Sequence, residues 1–344
     1  FEAICETKSG PIRDILRRFG VEAAQCLTIE AGNGTQMVRE LRSYGFPVQV
    51  VDVRKSSKFL AIRRQKTDVH DARGLAELGR LARSMGSQVF VKPMEHQNLR
   101  TLINVRRTML KNRARTDALI QSIFRLYGGN VKLLNGRGAL AAEVNDQVRK
   151  MRQHGLEIGV NLQPLVEIAE ALREQISALD RQMRDIASNN PTCRNFQTIP
   201  GIGPVVALSF YSAIGDPHRF ERSRDVGAYL GLTPTLYQSG ATSRRGRVSR
   251  HGNKLTRMHL ITAATVLLCR IEIESRLRTW GLELAQRIGF LKARVAVARK
   301  LAVIMLAMWK SGSPFYADGE PSLFLQREEA GLDPVLISGT QISL

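Results

Sequence analysis

The sequence predicts an α/β domain over residues 1–95, followed by a longer, mostly helical region. Three observations carry that expectation. Up to about residue 90, short apolar runs alternate with amphipathic stretches. From about 95 to 190, apolar residues recur at steps of three and four. Asn189-Asn190-Pro191 then breaks the pattern ahead of a region in which Gly and Pro open new helices.

Within the first region, Cys26-Leu27-Thr28-Ile29-Glu30 reads as a buried strand ending at an acid, followed by the turn Ala31-Gly32-Asn33-Gly34. Residues 35–44 read as a helix with Met37, Val38 and Leu41 on one face, and residues 47–53 as the next strand. Active groups of such sheets gather at the carboxyl ends of strands, where Glu30 stands. The octet Lys66-Thr67-Asp68-Val69-His70-Asp71-Ala72-Arg73 is the sharpest local signal. On a helix Asp68 and Asp71 share a face with Cβ atoms roughly 5–6 Å apart, close enough to hold one hard cation. The same spacing suits Asp68 as the cap of a helix over 69–83 with Asp71 in its first turn. Spacing alone leaves both readings open.

Residues 96–190 read as helices broken around Gly128-Gly129 and Asn135-Gly136. Leu165, Ile168, Leu172, Ile176, Leu179, Met183 and Ile186 form a seam that closes either within the chain or against a second copy. Arg100, Arg106, Arg107, Lys111, Arg113 and Arg115 make a basic run with few acids, which favours phosphate contact over a merely solvated face. Beyond the break, Thr198-Ile199-Pro200-Gly201-Ile202-Gly203-Pro204 is a helix-hairpin-helix-like turn. Gly201 and Gly203 there let backbone N–H groups approach a phosphate, although such turns also serve as plain helix connections.

Residues 237–250 place Ser239 beside Arg244, Arg245, Arg247 and Arg250. Arginine forks match phosphate oxygens, and a serine among them can attack a phosphodiester. A loop that only grips the backbone is the commoner use of such composition. His251-Gly252-Asn253-Lys254 leads into a buried helix over 255–268 that carries Arg257 near its start, and a further basic helix follows around 292–300. Ser311-Gly312-Ser313-Pro314-Phe315 ends the ordered pattern, and 321–344 reads as a tail.

Composition narrows the function classes. Lys and Arg outnumber Asp and Glu by 51 to 31, for a net charge of +20 spread over several clusters, so the natural partner is an extended polyanion. No apolar run approaches the roughly 20 residues of a membrane span. Cys5, Cys26, Cys193 and Cys269 lack the close pairing of a zinc or redox motif and fit a reducing cytoplasm. The chain opens with Phe1 rather than Met, so residues are expected before it.

Ile29-Glu30-Ala31, Lys66-Thr67-Asp68 through Asp71-Ala72-Arg73, Ile199-Pro200-Gly201-Ile202-Gly203, Gly231-Leu232-Thr233-Pro234, Ser239-Gly240, Gly252-Asn253-Lys254 and Ser311-Gly312-Ser313-Pro314-Phe315 occur in this order over roughly residues 1–318. In that order they resemble the DEDD-type insertion-sequence transposases, the bridge-RNA-guided serine recombinases related to Piv-type DNA invertases. The resemblance implies a RuvC-like domain of RNase H fold over 1–95, a helical coiled-coil region over 96–190 and a mostly helical transposase domain over 191–320. It implies a bacterial, cytoplasmic enzyme that cuts and rejoins DNA through a serine-phosphate intermediate. Glu30, Asp68 and Asp71 match the family's Mg²⁺ ligands and Ser239 its nucleophile, brought together from different subunits of a dimer or tetramer. Target DNA, donor DNA and a guide RNA are the implied partners.

The family's first acid, on an earlier strand, has no counterpart, and Asp52 ends a different strand. Either the chain starts after that first strand, which is the favoured expectation, or its metal site is defective, and in both cases Mg²⁺ is expected to be held more weakly. Residues expected on nucleic acid are Arg106, Arg107, Lys111, Gly201, Gly203, Arg244, Arg245, Arg247, Arg250, Lys254 and Arg257. Two rival readings are a RuvC-like metal-dependent nuclease that uses water, and a non-catalytic binder of branched nucleic acid.

Overall fold

The computed structural model describes residues 4–20, 26–32, 34–62, 67–81, 88–136, 138–155, 157–239, 242–273 and 275–315. These fall into two compact units, Phe1–Lys92 and Pro93–Leu344.

The first unit contains α1 (Ser9–Arg18), β1 (Leu27–Glu30), α2 (Thr35–Ser43), β2 (Val48–Val51), α3 (Val53–Leu60) and α4 (Asp68–Leu81). Strands β1 and β2 pair in parallel, Leu27 opposite Val48 through Glu30 opposite Val51. A parallel pair needs a crossover, and α2 supplies it. Because side chains alternate along a strand, Val48 and Val50 face one way and join Val38 and Leu41 of α2, whereas Val51 packs with Leu78 of α4. Helix α4 comes so close to β1 that a Cβ on Gly79 would lie 1.9 Å from Thr28 Oγ1.

Two expected boundaries move, each because of a cap. The strand expected over 47–53 stops at Val51, since Asp52 Oδ1 accepts from the backbone N–H groups of Arg54 (3.0 Å) and Lys55 (3.2 Å) and opens α3. Asp68 is the first residue of α4 rather than its cap. Thr67 does that work, accepting from the His70 backbone N–H at 3.2 Å.

In the second unit, α5 (Met94–Leu126), α6 (Ala139–Arg152) and α7 (Gly159–Asn189) form the helical region. Arg106 pairs with Asp180 and Asp117 with Arg173, so α5 and α7 run antiparallel and the seam closes within the chain. Its register differs from the expected one. Leu162, Val166, Ala169, Ile176, Met183 and Ala187 are buried, while Ile168 is 52% exposed. Arg173 takes the seam position between Ala169 and Ile176, which a search for apolar residues passes over. Its guanidinium donates to Asp117 Oδ1 (2.8 Å), to the Leu134 carbonyl (3.0 Å) and to the Ala169 carbonyl (3.0 Å).

The chain continues through α8 (Pro191–Gln197), α9 (Pro204–Ile214), α10 (Asp225–Tyr229), β3 (Pro234–Ser239), β4 (Thr242–Val248), α11 (Lys254–Cys269), α12 (Arg276–Ile288) and α13 (Phe290–Ser311). Helices α9, α11 and α13 make a core through Phe210, Leu260, Leu267, Leu301 and Met305. Leu99 and Ile103 of α5 and Met183 and Ala187 of α7 belong to the same core. The helical region and the segment after Asn190 are therefore one compact unit. The expected basic helix around 292–300 lies inside α13, which buries Ala293, Val297 and Ala298 there. The expected tail lies outside the described residues.

Strands β3 and β4 form an antiparallel hairpin, Tyr237 opposite Arg244 and Ser239 opposite Thr242. The backbone crosses itself closely at the hairpin's base. A Cβ on Gly231 (φ +68°) would sit 2.1 Å from the His251 carbonyl oxygen, and one on Gly252 (φ +79°) 2.0 Å from that of Tyr229. Only glycine accepts both the positive φ and the contact. Arg257, 8% exposed, locks the crossing by donating to the Leu230 and His251 carbonyls, each at 2.9 Å.

His259, two residues further along α11, has an Nδ1 that is buried without a partner among the described residues. Burial, reinforced by Arg106 and Arg107, pushes its pKa down to about 4.

Two stability predictions follow from these interior groups. Asp117→Ala leaves the Arg173 guanidinium buried without its counter-charge and should cost about 3–5 kcal/mol in urea unfolding at neutral pH. His259 is neutral when folded and regains an ordinary pKa near 6.5 when unfolded. Its contribution is thus full above about pH 6.5 and is lost as pH falls toward 4. Stability measured between pH 7 and 4.5 should fall more steeply in the wild type than in His259→Gln, by up to about 3 kcal/mol.

Candidate functional site

Glu30 ends β1, and its carboxylate accepts a hydrogen bond from the hydroxyl of Ser56, a fully buried residue of α3. The cap at Asp52 sets where α3 begins and so carries Ser56 to the carboxylate. On α4, Asp71 lies one turn before Leu75, which packs with Leu78 and Val51, and Val51 is the strand partner of Glu30. Asp71 is half-buried and Asp68 exposed.

These are hard oxygen donors of the type a divalent cation prefers. Their arrangement is a different matter. Among the described residues, no three His, Cys, Asp or Glu side chains converge as a metal site. The donor chemistry fits an Mg²⁺ ion, but the described residues do not assemble a site for one.

Ser239 is the last residue of β3 and is exposed. Its face of the hairpin also carries Tyr237, 64% exposed, opposite Arg244. Arg247 and Arg250 are exposed as well, and Arg250 holds a left-handed backbone conformation (φ 57°) just before the crossing at Gly252. Arg245 pairs with Leu236 through the backbone, and its side chain lies outside the described set. So do Gly240 and Ala241, which follow Ser239.

The remaining expected phosphate contacts divide by environment. Arg106 is held by Asp180, and Arg257 is buried on two carbonyls, so neither presents a free fork to a phosphate. Arg107 is half-buried, Lys111 exposed, and Lys254 exposed at the first turn of α11. In the turn between α8 and α9, Gly201 has φ +89°, and a Cβ there would lie 3.2 Å from the Ala263 carbonyl oxygen. Its glycine is thus required by packing against α11. Gly203 caps α9 from extended backbone, with open space where its Cβ would be.

Sequence reasoning missed Ser56, and it named Arg257 for phosphate contact rather than for its structural part here. Ser56 leaves no sequence signal, because its bond to Glu30 spans separate elements. Arg257 left one. It lies near the start of a helix rich in Leu, Ala, Val and Ile, and a cation on such a helix is often spent on carbonyls.

No described helix is long and apolar enough to cross a membrane. Residues 13–128 match the family described as "Transposase" of the DEDD IS110 type, and residues 193–279 match "Transposase IS116/IS110/IS902 family". The transposase for insertion sequence element IS1111A of Coxiella burnetii is 29% identical over 297 residues, covering 82% of this chain and 77% of its own length. The transposase for insertion sequence element IS1328 of Yersinia enterocolitica is 27% identical over 282 residues, covering 81% of each. With both family regions present in order and relatives aligned along most of its length, the comparisons support a DEDD-type insertion-sequence transposase of the IS110/IS116 family.

Proposed function

We propose that this transposase cuts and rejoins DNA through a covalent link to Ser239, in a homo-oligomer directed to its target and donor sites by a guide RNA. The observation that carries the reading is the placement of Ser239, an exposed hydroxyl at the end of a hairpin strand whose base is fixed by Arg257 and the crossing at Gly231 and Gly252. A nucleophile must be reachable by a bulky duplex yet held in one orientation.

In the proposed step the Ser239 hydroxyl gives its proton to solvent. Oγ bonds to the scissile phosphorus, and the P–O bond to the departing deoxyribose oxygen breaks, that oxygen taking up a proton. A hydroxyl from another strand reverses the step, so the number of phosphoester bonds is conserved. In this reading Arg244 and Arg247, both exposed on the hairpin, would offset the charge that gathers on the phosphate oxygens.

A DEDD domain implies dependence on a divalent cation, typically Mg²⁺, and the donors proposed for it are Glu30, Asp68 and Asp71. Such an ion, when bound, would neutralise phosphate charge. Ser56 would orient Glu30 toward it. The charge excess of +20 supports a nucleic-acid load larger than one duplex site, and guide pairing would then supply the sequence specificity. The competing reading is a RuvC-like nuclease in which the acids activate water and Ser239 only contacts phosphate; the DEDD family match favours it.

With DNA, guide RNA and Mg²⁺, the wild type should yield a protein–DNA adduct on denaturing gels, and Ser239→Ala should yield none. Undiminished cutting by Ser239→Ala would select the nuclease reading. Arg244→Gln should slow adduct formation on the order of 10²–10³-fold while leaving thermal stability unchanged.

A further inference from the structure

Helices α5, α9 and α11 enclose a cleft of about 290 Å³ within the second unit. One wall is a stripe of α5 in which Arg100, Asn104 and Arg107 recur at helical spacing. Lys254, at the start of α11, stands on another wall. The buried hydroxyls of Ser209 and Thr256 contribute to the lining and satisfy each other. Thr256 donates to the Ser209 carbonyl at 3.0 Å, and the two hydroxyls lie 3.1 Å apart.

Three features give the cleft a ligand chemistry. Arg100, Arg107 and Lys254 converge on one small volume, and none of the described lining residues is acidic. None of the three cations is ion-paired to a described residue, although their neighbours Arg106 and Arg113 are paired with acids. The end of α11 is already closed by Asn253, whose Oδ1 accepts from the Leu255 N–H at 3.0 Å and the Thr256 N–H at 3.2 Å. The positive charge in the cleft is therefore that of three side chains, two of them planar forks suited to phosphate oxygens.

We propose that this cleft is a phosphate subsite, seating one phosphodiester group of a bound nucleic-acid strand between Arg100 and Arg107 on one side and Lys254 on the other. The proposal rests on the reading that the chain acts on nucleic acid, and it adds a contact away from the Ser239 hairpin. The subsite reads no base. It fixes the position of the backbone, which is what contacts of this kind do in protein–nucleic acid complexes.

The test measures binding of the full chain to a DNA duplex and to a single-stranded RNA against salt concentration. Arg100→Gln, Arg107→Gln and Lys254→Gln are compared with Arg181→Gln, which removes the same charge from an exposed site on α7. Losing one phosphate contact should flatten the log–log salt slope by about 0.9 on duplex DNA, or about 0.7 on the single strand, and weaken binding on the order of tenfold. The Arg181→Gln slope should stay at the wild-type value. Asn104→Trp, which fills the cleft and keeps every charge, should reproduce the loss, and unchanged melting temperatures keep the comparison on binding.

Loss on DNA alone, on RNA alone or on both supports the subsite and names its strand. Wild-type slopes in all three cleft variants overturn it, as does an equal loss in Arg181→Gln. Thermal protection by inorganic phosphate without any change in the nucleic-acid slopes reveals a free-anion pocket and also overturns the assignment. A wild type with no salt-dependent binding overturns the nucleic-acid reading itself, an outcome distinct from the others.

Discussion

Arg257 reaches from the first turn of α11 into the interior and donates to the carbonyls of Leu230 and His251, one on each side of the β3–β4 hairpin. A two-stranded hairpin is marginal by itself in water. Here the ends of its strands are tied to the apolar core of α9, α11 and α13 by one guanidinium and by a backbone crossing that only glycine permits at Gly231 and Gly252. Ser239, Arg244 and Arg247 owe their placement to that tie. The charge on Arg257 is thus spent on orienting a loop rather than on meeting a phosphate, and burial together with Arg250 lowers its pKa accordingly.

The same division of labour runs through the helical scaffold. Asp180 holds Arg106, and Asp117 holds Arg173 and lies 3.9 Å from Arg113. The pairs that align α5 with α7 therefore use acids of that region for internal order. Among the described residues, Arg100 and Arg107 of α5 have no ion-pair partner. Part of the charge excess of the chain lies there, at Lys254 and on the hairpin.

Local pattern made several elements legible in the sequence. The β1 strand, the α2 helix, the break at Asn190 and the buried helix α11 follow from periodicity and from capping residues, which act over one or two turns. What escaped was decided by contacts between distant segments. The seam of α7 shifted off Ile168 because a buried Arg173 replaced an apolar residue, and its partner Asp117 lies on another helix. Strand β2 ended early because Asp52 found backbone donors. The glycines at 201, 231 and 252 were visible as motif members. Their physical reasons differ from phosphate approach at Gly201, where the packing of α11 leaves no room for a side chain. Ser239 was legible as chemistry, a hydroxyl among arginines, but its exposed position at a strand end depends on hairpin register.

The acids and the serine stand in contrast. Glu30 is oriented by Ser56, yet no three acidic or other ligating side chains converge among the described residues. Ser239 is held in place and open to approach without any ligand. A divalent ion brings its own demand for near-octahedral oxygen donors, and substrate phosphates commonly supply some of them. Charge on the cationic side chains of the hairpin and of the cleft needs no such partner, because it is fixed in the fold. Under the proposed reading, backbone contacts made by these side chains would set register before the reaction begins.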